Sequence, residues 1–103
     1  MPTPMYTVRD VPNAMGIEKT LQDRGKDYGE FCGHAAISQS IKDIMHSADN
    51  WERLTPSMKE ALEMNAHKVA RILNGNPQKI DSWHDIAGYA TLVEQELRGN
   101  GTK

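Results

Sequence analysis

Between Thr55 and Leu97 apolar residues recur at steps of three and four in two runs, separated by Asn74-Gly75-Asn76-Pro77. Such a period belongs to amphipathic helices and cannot be laid out as strands. In the first run Thr55 suits an N-cap, Pro56 the first helical position and Gly75 the stop. At roughly 100° per residue, Met58, Leu62, Asn65, Val69, Ile72 and Leu73 share one face. Glu60, Glu63, His67 and Arg71 fall opposite them, with Lys68 flanking. The second run starts at Asp81 or Ser82, where Ser82 and Asp85 imitate a capping box. Trp83, Ile86, Tyr89, Ala90, Val93 and Leu97 line its apolar face, and Gly99 ends it. The expectation is an antiparallel hairpin of helices, residues 55–73 and 82–97. Gly88 inside the second helix costs about 1 kcal/mol relative to Ala, which suggests a close neighbour there.

The rest of the chain is organised around that hairpin. Pro2, Pro4 and Pro12 make residues 1–15 read as an extended N-terminal arm. A short helix follows from Ile17 to Arg24, with Gly25 as its stop, and then a polar turn from Gly25 to Gly29. A further helix spans Glu30 to Ala48, with Gly33, Ile37, Ile41, Ile44 and Ala48 as its apolar stripe. Trp51 and Leu54 pin the next connection to the core. No segment alternates with period two. The reading is all-α: a compact bundle of about four helices, with a single helical domain over 16–98 and a flexible tail at 99–103.

With 103 residues, 38% apolar and 25% charged, the chain has room for one modest core. Apolar stripes in excess of what so short a chain can cover point to a homo-oligomer. The net charge is −2, from 12 Lys+Arg against 14 Asp+Glu. No overall field then draws in nucleic acid or an anionic membrane, so a polyanion site must be a local cluster of cations. The lone Cys32, the lack of a secretory signal and the lack of any apolar run near roughly 20 residues fit a cytoplasmic protein.

Two acidic pairs stand out. Glu60 and Glu63 lie three apart on one helix, and Asp81 and Asp85 four apart on the next. Facing pairs of this kind could hold Mg²⁺ through oxygen and leave positions for water and phosphate. The pattern resembles the MazG-like all-α nucleoside triphosphate pyrophosphohydrolases over about residues 57–93. That resemblance implies Mg²⁺ on Glu60, Glu63, Asp81 and Asp85, and cleavage between α and β phosphates with Asp85 and Glu63 as catalytic groups. The second motif of that superfamily is ExxD, whereas Ser82 stands three before Asp85. If the hairpin closes so that facing positions sum to about 155, Asp85 lies roughly 10 Å from Glu63. One ion then needs a shifted packing or a second subunit.

RGKDYGEF at 24–31, EALEMNAHKVARILNGNP at 60–77 and DSWHDIAGYATLV at 81–93 resemble a family of small phage and prophage proteins of unknown function. This resemblance covers roughly residues 20–97 and implies a phage-encoded protein of the bacterial cytoplasm. The same facing arithmetic brings Lys68 and Arg71 alongside Asp85, where the two cations could hold phosphate oxygens, or Arg71 simply form a salt bridge with Asp85. Arg24, Lys26 and Tyr28 could close over them, or be an ordinary polar connection. The expected ligand is a nucleotide or other phosphorylated small molecule, either hydrolysed or held as a non-catalytic sponge. A host-protein-binding module is the rival. His67 and His84 read as surface imidazoles, His34 as a core-edge histidine, and Trp51, Trp83 and Tyr89 as core.

Overall fold

The computed structural model describes residues 14–99, so most of the expected arm and the tail beyond Gly99 lie outside it. Among the described residues the chain is all-α: α1 (Ala14–Tyr28), α2 (Phe31–Ser47), a 3-10 turn (Trp51–Arg53), α3 (Pro56–Asn74) and α4 (Ile80–Leu97). α3 is the central rod. Both α2 and α4 pack along it, with no comparable contact between them, and α1 crosses one end.

Local signals set most of the boundaries. The Thr55 side chain accepts from Met58 N at 3.2 Å, so the expected cap of α3 is formed. α2 ends within a residue of its expected limits at either side. α1 is longer than expected at both ends, because one glycine at Gly25 does not break a helix. The stop is Gly29, which takes the left-handed backbone at φ 77. α4 begins at Ile80, one residue early, and its N-cap Lys79 makes no side-chain cap. Ser82 is buried inside the first turn instead of capping it. The hairpin closes close to the expected register: the Ser57 hydroxyl donates to Glu96 at 3.0 Å and Lys68 meets Asp85 at 3.0 Å.

The buried face of α3 differs from expectation. Its most enclosed residues are Ala61, Ala66 and Ala70, joined in the core by Trp51. Alanine lets two helices approach closely, and neighbours on either side of α3 use these small residues as contact lines. The apolar stripe expected to face the core is thereby left between the two neighbours: Leu62 is 44% exposed and Leu73 65%. Trp83, expected in the core, is 54% exposed, with its indole N–H donating to Pro77 O at 2.7 Å. Gly88 has open space around it, so no close neighbour within the chain explains it.

A latch joins α1 to the α3–α4 turn. The Asn74 amide donates to Tyr28 O and to Glu30 O, both at 2.8 Å. Asn76 N donates to Asp27 O at 2.7 Å. Glycine is required where these segments touch. A Cβ on Gly75 would overlap the backbone of Asp27 and Tyr28, and one on Gly33 would lie 2.6 Å from Asn74 Oδ1. The Asn76 side chain accepts from Gln78 N at 3.0 Å and shapes the turn itself. Asn74→Ala should therefore cost about 1–3 kcal/mol in urea unfolding, because the Tyr28 carbonyl loses its donor and the Glu30 carbonyl keeps only His34 N–H. Gly75→Ala should cost more, since backbone cannot step aside. An unchanged midpoint in both variants would show that the latch does not hold the fold.

Candidate functional site

The latch fixes the last turn of α1 against the end of α3 and opens a cleft between α1, α2 and α3. Its volume is about 640 Å³, and Leu21, Arg24, Tyr28, Glu30, Phe31, His34, His67 and Arg71 line it. The Arg71 guanidinium lies over the Tyr28 ring, 4.3 Å from its centroid. That stacking fixes the planar cation without neutralising it. Among the described residues, neither Arg24 nor Arg71 makes an ion pair. A smaller hollow of about 280 Å³ adjoins the cleft across the same two arginines, lined further by Asp23, Asp27, Lys79 and Asp81.

At the base of the cleft two imidazoles meet. His34 Nε2 and His67 Nδ1 are 3.2 Å apart, with the rings edge-to-face. One nitrogen donates and the other accepts, which suits two neutral rings. His34 is 6% exposed, and its Nδ1 has no hydrogen-bond partner. Burial lowers the His67 pKa to about 4, helped by His34, Arg71, Lys68 and Lys42 nearby. Burial also lowers that of His34, followed by Arg71, Lys42 and Lys68. Both histidines thus register a positive field around the cleft.

The residues singled out in the sequence divide between this cleft and other places. Arg24, Tyr28 and Arg71 come together as expected. Lys26 is exposed on the last turn of α1 and lines neither hollow. Lys68 does not join Arg71 at the cleft. It lies 11% exposed and bonded to Asp85, so that the hairpin's bridge is Lys68–Asp85 instead of the expected Arg71–Asp85, Arg71 being stacked on Tyr28. The acids expected around Mg²⁺ do not meet within one chain. Glu63 pairs with His46 at 2.8 Å, Asp85 with Lys68, Asp81 lies beside the smaller hollow, and Glu60 is exposed. Among the described residues no three His, Cys, Asp or Glu side chains gather to hold a metal ion. Contrary to the surface reading, His67 is partly sheltered, while His84 is exposed. Sequence reasoning passed over Phe31, the His34–His67 contact and Lys79. Pairing His34 with His67 required knowing which face of α3 receives α2, which periodicity does not reveal.

The sign of the pH effect follows from the lowered histidine values. Between about pH 6.5 and 4 the unfolded chain binds protons that folded His67 refuses. Its contribution to stability is complete above about 6.5 and is lost as pH falls toward 4. His67→Gln keeps a hydrogen-bonding group but cannot titrate. The melting temperature of the parent chain should therefore fall more steeply than that of the variant over this window, and parallel slopes would contradict the burial of His67.

No helix among the described residues is long and apolar enough to cross a membrane. No curated protein and no solved structure matches the chain. A family model does, over residues 16–97, which is the stretch that carries all four helices, the latch and the cleft. The chain belongs to the family described as a domain of unknown function, DUF6378.

Proposed function

We propose that the chain binds a nucleotide, or a closely similar phosphorylated small molecule, in the cleft between α1, α2 and α3. The observation that carries this reading is the pair Arg24 and Arg71, free of ion pairs among the described residues, on the wall of a cleft that Tyr28, Phe31 and Leu21 also line. Guanidinium groups match phosphate oxygens in a planar, bidentate way. Phe31, exposed at the rim, and Tyr28 offer ring surfaces beside which a base can stack.

Binding is the part of this reading that the geometry supports. The Mg²⁺-dependent pyrophosphohydrolase variant would need Glu60, Glu63, Asp81 and Asp85 to be completed by a second chain, and no hydrolytic step is derived from one chain. The resemblance of residues 24–31, 60–77 and 81–93 to phage proteins makes the cytoplasm of a phage-infected or lysogenic bacterium the natural setting. There a nucleotide sponge would serve counter-defence by removing a host signal.

Thermal shift and calorimetry with nucleoside mono-, di- and triphosphates, with and without Mg²⁺, test the reading. A nucleotide should raise the melting temperature where its nucleoside does not. Arg71→Ala should weaken binding about 10–100-fold, the equivalent of one charge-assisted contact. Asp85→Asn should leave affinity within about twofold of the parent, because Asp85 faces Lys68 and not the cleft. Pyrophosphate release only with Mg²⁺ would favour the hydrolase. Indifference to every nucleotide would dismiss the proposal and leave binding of a host protein as the better account.

A further inference from the structure

The cleft and the smaller hollow share one ridge. Arg24, Tyr28 and Arg71 line both, so a phosphate on the two guanidiniums stands between one space and the other. The two sides differ in chemistry. The cleft adds Leu21, Phe31 and the two histidines, whereas the hollow adds Thr20, Asp23, Asp27, Lys79 and Asp81. Beyond the shared arginines, three carboxylates there face a single lysine, and that lysine is already engaged. Lys79 Nζ lies 3.4 Å from Asp27 Oδ2. The hydrogen bond to Asp27 holds the Lys79 pKa above its ordinary value, with the charges of Asp27 and Asp81 adding to it. Among the described residues Asp23 and Asp81 make no ion pair. A second phosphate in this hollow would meet acids and no available cation apart from the ridge.

We infer that the site selects a nucleotide with a single phosphate group, mono- or diester, and discriminates against polyphosphates. The inference rests on the nucleotide reading above and adds where the ligand must end. A base beside Phe31 with its phosphate on Arg24 and Arg71 directs whatever follows that phosphate into the smaller hollow. A phosphate monoester carries about two charges near pH 7, which two guanidiniums match. Each further phosphoryl group adds about one charge and places it opposite Asp23 and Asp81. A sphere of about 280 Å³ has a radius of about 4 Å, so a group inside stands within the Debye length of about 8–10 Å of its wall. Like charges repel at that range, and built-in repulsion rejects a ligand that shares every attractive contact of the correct one. Hydroxyl or amino groups, which donate to carboxylates, suit the same hollow, so the second sugar of a phosphodiester is tolerated there.

Calorimetry of the full chain in about 20 mM salt, where screening is weak, compares the common ribonucleoside monophosphates with their triphosphates. EDTA keeps Mg²⁺ from neutralising the added charges. For the base that binds best, the monophosphate should bind about tenfold tighter than the triphosphate. Asp23→Asn together with Asp81→Asn should erase that preference, tightening the triphosphate about tenfold and leaving the monophosphate within about threefold. Each single substitution should give part of the change. Both side chains are exposed, so without ligand the variants should melt like the parent. A triphosphate that binds the parent as tightly as the monophosphate, or a preference that survives the double substitution, overturns the inference while the nucleotide reading stands. If no nucleotide binds, or if binding ignores Arg71→Ala, the reading itself fails and the inference goes with it.

Discussion

Two hydrogen bonds from one amide organise this molecule. Asn74, at the last turn of α3, gives both of its protons to carbonyls at the α1–α2 junction. Those carbonyls belong to Tyr28 and Glu30, the residues where one helix stops and the next begins. The Tyr28 carbonyl is satisfied from α3 and the Glu30 carbonyl by both Asn74 and His34 N–H, so the chain reverses direction over two residues without leaving polar backbone stranded. The contact is close enough that glycine is required at Gly33 and Gly75. At Gly75 backbone meets backbone, and at Gly33 the Asn74 side chain takes the space a Cβ would need.

The cleft is a consequence of that contact. With Tyr28 held in place, its ring becomes a platform for Arg71, and Arg24 on the preceding turn of α1 shares the same wall. Burial opposes protonation of His34 and His67 most strongly, and Arg71, with Lys42 and Lys68 outside the cleft, opposes it further. Glu30 lines the same cleft, and Asp23, Asp27 and Asp81 line the hollow beside it, yet neither arginine forms an ion pair among the described residues. The acids take other roles: Asp85 neutralises a sheltered lysine, Glu63 holds His46, and Asp27 meets Lys79 at 3.4 Å.

Use of α3 on both sides leaves the fold with few large buried side chains. Helices that flank a rod through alanine contacts give close approach but little apolar burial, since each alanine contributes one methyl group. The described chain extends 49 × 29 × 28 Å, longer in one direction than a globular domain of its size. An open apolar face and the elongation have the same origin, because a single layer of helices has no second layer to pack on.

The amino-acid sequence alone determined the helical class, the positions of α2 and α3, the Thr55 cap and the closing register of the hairpin. Each of these follows from a local period, a capping residue or a turn. Of the five residues it grouped, Arg24, Lys26, Tyr28, Lys68 and Arg71, three line one cleft, while Lys26 stays outside it and Lys68 pairs with Asp85. Tertiary structure alone decided which way each helix faces. An apolar stripe shows that a face needs cover, and says nothing of whether the neighbour sits on that face or to either side of it. Here Ala61, Ala66 and Ala70, too small to register in a hydrophobic pattern, admitted the neighbours, and the larger residues were left outside. That choice joined His34 to His67, gave Lys68 to Asp85, and made Asn74, which reads in sequence as an ordinary helix end, the residue that ties three helices together.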